Sequence, residues 1–143
     1  MISTIVAAAF GTVAFAVLFG VPRRYYLYCG LTGCAGWTVY CLLTNFAGLS
    51  AAEATFFATL LAVFLSRILA VHERCPVTVF VIAGIIPLVP GAGIYWTAYY
   101  LVTGQLAQAR ESGFSAIKIA FAIVLGIVFV FELPQKLFRS RKS

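Results

Sequence analysis

The chain has 143 residues, of which 63% are hydrophobic and 10% charged, with a mean hydropathy of +1.04 and ten basic against four acidic residues. Composition of this kind excludes a water-soluble domain, because a soluble core needs polar faces to cover it and residues 25 to 52 carry no charge. The net charge of +6 does not indicate nucleic acid, since the basic residues gather at the ends of apolar runs and not along one face.

A spanning helix needs about 20 apolar residues. On that measure the chain divides into five predicted helices, about 2–21, 26–47, 50–71, 77–103 and 114–133, in a single transmembrane domain over 1–143. The fold class expected is therefore all-α integral membrane. Backbone groups in lipid must pair internally, which makes these runs helices. The first run has no basic segment before it and leads straight into Pro22, Arg23 and Arg24, so it reads as a retained helix and not a cleaved signal. Small residues recur at four-residue spacing, as in Ala8, Thr12, Ala16 and Gly20, or Ala54, Ala58 and Ala62. Such stripes let helices approach closely.

Arg23, Arg24, Arg67 and Arg74, with Lys136, Arg139, Arg141 and Lys142 in a basic tail over 134–143, fall on one side of this path. Arg110 and Lys118 fall on the other. The positive-inside rule then predicts an outside N-terminus and a cytoplasmic C-terminus.

The fourth run is the unusual one. Residues 75–109 are uncharged, and their middle reads Gly84-Ile85-Ile86-Pro87-Leu88-Val89-Pro90-Gly91-Ala92-Gly93. Pro87 and Pro90 remove amide donors and crowd the preceding turn, while Gly91 and Gly93 can take positive φ angles. An interruption from Pro87 to Gly93 is expected near the bilayer midplane, with about ten helical residues on each side. Irregular backbone at that depth needs protein or a watery cavity around it. The second half-helix would aim amides and a positive dipole from Ile94 and Tyr95 toward a carboxylate. A proline kink that only shapes the bundle is an equally weighted alternative.

The candidate pathway residues are thus Pro87, Pro90, Gly91, Gly93 and Tyr95, with Arg67 as a planar fork for a carboxylate and Glu53 as a proton carrier. Cys29, Cys34, Cys41 and Cys75 form no CxxC pair, and His72 is the single histidine, so no metal site or cofactor is expected. With no HExxH, no GxSxG and no paired carboxylates, the reading is not an enzyme.

These residues also carry a resemblance. Phe19 through Arg24, Gly30 through Trp37, and above all Thr78-Val79-Phe80 leading to Ile86 through Tyr95 resemble the small membrane subunit of the threonine/serine exporter family and the C-terminal half of its longer, fused members. The resemblance implies a bacterial inner membrane and export of threonine and serine, or of a dicarboxylate such as succinate as in the two-component succinate exporter. It implies as well a larger membrane partner, hence an obligate heteromer. The alternative is an assembly or stabilising subunit that does not touch substrate. A dianion would be driven out by the membrane potential at about 2.3 kcal/mol per charge per 100 mV, whereas a zwitterion would need coupling.

Overall fold

The computed structural model describes residues 2–138, and every regular element among them is helical. The helices are α1 (Ile2–Leu18), α2 (Tyr26–Asn45), α3 (Ala51–Glu73), α4 (Thr78–Ile85), α5 (Gly91–Val102) and α6 (Leu106–Glu132), with short 3₁₀ turns at Arg23–Tyr25, Ile86–Leu88 and Gln135–Leu137. By length and apolarity Arg23–Asn45, Ala51–Glu73 and Leu106–Glu132 each suffice to cross a membrane. Thr78–Leu88 and Gly91–Val102 form a further pair bent by 51°. Helices occupy all five expected runs, but three of them, or four with the bent pair taken as one span, are long and apolar enough to cross, and the 17 residues of α1 extend only about 25 Å.

Helix ends follow local chemistry. α1 stops at Leu18 and not near residue 21, because Gly20 takes φ +70° and lets the amides of Gly20 and Val21 reach back to the carbonyls of Val17 and Ala16. Gly104, at φ +74°, closes α5 in the same way, with the Gln105 amide bonded to the Tyr100 carbonyl at 2.8 Å. The segment 104–113, expected as a connection, is mostly helix. α6 begins at Leu106, and Gly113 stays helical because it seats Thr97 of α5 against its bare backbone. α3 opens with a capping box in which Ser50 and Glu53 satisfy each other's amides.

Close contacts define the packing. Gly33 of α2 lies on Thr12 of α1, and Gly36 lies on Ala62 of α3. α4 runs back along α3, from Phe80 packed with Ala70 to Leu88 packed with Ala58. α6 runs parallel to α3, since Gly126 meets Thr59, Val130 packs with Val63, and Arg67 bonds the carbonyls of Val130 and Leu133. α5 continues onward to meet α6 where Gly93 touches Ala116. The bent pair therefore proceeds from one end of the bundle toward the other and does not double back.

This path brings the ends of α1, α3 and α6 and the starts of α2 and α4 together. Arg23, Arg24, Arg74 and Lys136 stand at that end, with Arg67 in the last turns of α3. Arg110 and Lys118 lie toward the opposite end on α6. Arg139, Arg141 and Lys142 of the expected tail lie outside the described residues.

The interior is small and sparingly polar. Buried Thr12, Thr32, Thr55 and Ser66 donate their hydroxyl protons to carbonyls of their own helices at 2.7–2.8 Å, which offsets the cost of removing them from water.

Candidate functional site at the helix break

The break is built by prolines around one extended residue. After α4 the chain tightens into the Ile86–Leu88 turn, with Pro87 in its first positions, where the missing amide costs no bond. Val89 is extended at φ −62°, ψ 132°, and Pro90 precedes α5 at φ −78°, ψ 52°. The Val89 amide bonds the Ile86 carbonyl at 3.2 Å and the Gly91 amide bonds the Val89 carbonyl at 2.8 Å.

Depth is set by Leu88. Its buried side chain packs with Ala58 of α3 and Ile123 of α6, well inside both long helices. Eight residues of α4 plus three of the turn precede the break and twelve of α5 follow it. Each arm thus spans roughly 16–18 Å, about half a hydrocarbon core.

The two glycines have different duties from those their sequence suggests. Both lie inside α5, and the glycines with positive φ among the described residues are Gly20, Gly48 and Gly104. Gly93 permits close approach, because a Cβ there would lie 3.2 Å from the Ala116 Cβ. A Cβ on Gly91 would meet nothing within 4 Å. Its absence leaves the first turn of α5 uncovered, where the Ile94 amide is bonded to the Pro90 carbonyl and those of Ala92 and Gly93 take no bond from the connecting segment. Free amides at a helix start attract negative charge.

α5 packs chiefly on α6 and buries none of its own residues. Tyr95 is 62% exposed, and it starts an aromatic run in which Trp96 stacks on Tyr100 at 5.8 Å. Gly91 and Tyr95, one turn apart, lie on the open side of α5, whereas Gly93 faces α6, and Pro87 and Pro90 lie in the break that precedes them.

Arg67 and Glu53 do not join it. Arg67 lies nine residues beyond Ala58 on α3, about 13 Å along the axis. Its Nη1 donates to the carbonyls of Val130 and Leu133, the latter at 3.0 Å, and its guanidinium sits 4.2 Å from the Phe138 ring centre. Glu53 is exposed at the start of α3, where its Oε2 accepts from the Ser50 amide at 2.8 Å and the Ser50 hydroxyl at 2.7 Å.

Two further polar groups lie near the break. Trp37 packs against the cluster that holds Leu88, and its Nε1 is buried without a hydrogen-bond partner; so is Oγ1 of Thr59, next to Ala58. A threonine inside an apolar run is a faint signal in sequence, because its hydroxyl usually finds a carbonyl on its own helix, and a tryptophan there reads as packing.

A model of the threonine/serine exporter ThrE matches residues 4–132. The chain belongs to the threonine/serine exporter family. An uncharacterized protein of Haemophilus influenzae is 31% identical over 139 residues, which cover 94% of this chain and 46% of that protein. This exporter-family chain thus spans about half the length of the relative it matches. No solved structure matches it. Membership places the broken helix in a membrane protein of a transport family, the class in which interrupted helices commonly meet substrate.

Proposed function

We propose that the chain is the smaller subunit of a two-part secondary exporter for small amino acids such as threonine and serine, or for a small dicarboxylate such as succinate. The observation that carries this reading is the break at mid-depth, where the amides of Ala92 and Gly93 at the exposed start of α5, just after Pro90, take no bond from the connecting segment. A carboxylate, common to all these substrates, is the group such amides hold. Tyr95 stands one turn further on to orient it.

A larger partner closes the other side of the path. Support comes from α5, which leaves one aromatic flank open, and from the longer relative, in which a segment like this chain accounts for less than half. The basic end of the bundle faces the cytoplasm of an inner membrane under the positive-inside rule.

The test is efflux of labelled threonine, serine and succinate from cells lacking their own exporters, expressing this chain, the presumed larger subunit, or both. Efflux is expected only with both. The Pro87→Ala, Pro90→Ala double variant, at equal membrane levels, should lose most of it, and wild-type rates would rule the break out as the path. A second reading, an assembly subunit, is favoured by the small residues that bring α1, α2 and α3 into close contact. A photoreactive substrate analogue separates the two, because a scaffold is not labelled at residues 87–95.

A further inference from the structure

A second polar feature lies at the basic end of the bundle, away from the break. A cleft of about 1010 Å³ opens there between the ends of α3 and α6, and Arg67, Cys75, Phe131, Leu133 and Lys136 are among the residues that line it. Arg67 is only 9% exposed. One of its nitrogens serves the last carbonyls of α6, while Nε and Nη2 have no bond to protein among the described residues.

A buried guanidinium is costly unless its charge is met. The negative end of α6 and the Phe138 face offset part of it. No carboxylate does so, since the one ion pair among the described residues is His72 with Glu73. Lys136, on the same cleft, adds a second positive charge.

Gln135 apart, the rest of the wall is mostly apolar and open, with Val71 44% and Phe131 45% exposed. Water covers such surface poorly. A ligand that joins an anionic head to hydrocarbon satisfies both halves of the cleft at once. Free phosphate satisfies only one. The cleft also sits where the spanning helices end, at headgroup depth.

We propose that this cleft binds the phosphodiester headgroup of an anionic phospholipid, with Arg67 and Lys136 on the phosphate and Val71 and Phe131 along the first part of an acyl chain. The site does not depend on which solute the break carries. Bound lipid would tie α3 to α6 beyond the cap that Arg67 already makes, so the anionic lipid acts as a structural ligand of this end of the bundle.

The experiment uses the purified full chain in neutral detergent, titrated with phosphatidylglycerol, phosphatidylcholine, inorganic phosphate or succinate. Thermal unfolding and maleimide labelling of Cys75, whose residue lines the cleft, are followed together. Phosphatidylglycerol should raise the melting temperature saturably and slow Cys75 labelling, and phosphatidylcholine should do neither. Lys136→Glu should weaken the apparent affinity at least about fivefold, the factor of one basic contact at a lipid surface. Lys136 is exposed on a terminal turn, so this variant keeps the test open where Arg67→Gln fails to fold. The proposal is overturned if phosphatidylcholine acts equally, if Lys136→Glu titrates like the parent, or if stabilisation leaves Cys75 labelling unchanged. Inorganic phosphate or succinate matching phosphatidylglycerol would also overturn it and make the cleft a site for a free anion.

Discussion

Gly33 of α2 and Thr12 of α1 sit so close that a Cβ on the glycine would lie 2.0 Å from the threonine Oγ1. The contact joins helices that neither charge nor a large apolar side chain holds together at this point. Gly33→Ala is expected to destabilise the bundle by about 1–3 kcal/mol, the range for overpacking. Adding Thr12→Ala should restore only part of this, because the Thr12 Cβ alone would remain 2.8 Å away. Unfolding by added dodecyl sulfate, followed by circular dichroism, measures both. Parental stability in the single variant would mean that α1 is not seated here.

Arg67 closes the end of α6 by donating to two carbonyls from a neighbouring helix. Arg67→Gln should therefore fray α6, at a cost of about 1.5–3 kcal/mol for a lost charged hydrogen bond. Faster amide exchange over residues 128–133, with exchange over α2 unchanged, is the expected pattern. Equal exchange in variant and parent would refute the capping role.

Orientation is readable through two thiols. Cys75 lines the cleft at the basic end, whereas Cys34 lies in an apolar groove between α1 and α2 with Phe10 and Leu31. A membrane-impermeant maleimide should label Cys75 in inside-out vesicles and not in right-side-out ones, and should label Cys34 in neither. The reverse polarity for Cys75 would place the C-terminal end outside.

Glu53 is bonded within its own capping box. Glutamine preserves such a box, so Glu53→Gln should keep the parent's melting temperature and keep efflux. Glu53→Ala leaves the Ser50 amide without its acceptor and should lower the melting temperature relative to Glu53→Gln. If Glu53→Gln instead removed the pH dependence of efflux, the carboxylate would be carrying a proton.

Hydropathy located every helix of this bundle, because a run that must satisfy its own backbone in lipid has one conformation open to it. The Pro87 and Pro90 break was legible for a related reason: proline acts on its own backbone and needs no distant partner. Boundaries set by packing were not legible. Gly113 looks like a connection in sequence, and it is helical because Thr97 of α5 rests on it. Gly93 looks like a flexible hinge, and it is a contact point for Ala116. Arg67 reads as a free fork, because nothing near it in sequence announces the carbonyls that hold one of its nitrogens.

Those carbonyls belong to residues 63 and 66 positions later in the chain. At a synthesis rate of about 5–20 residues per second, they follow Arg67 out of the ribosome by roughly 3–13 s. During that interval α3 sits in or beside the membrane with its arginine uncapped and its Thr59 face uncovered. The helix that locks the third in place is thus made three elements after it, and a nascent chain halted after α5 would hold a charged, half-finished bundle that the cell's quality control has several seconds to notice.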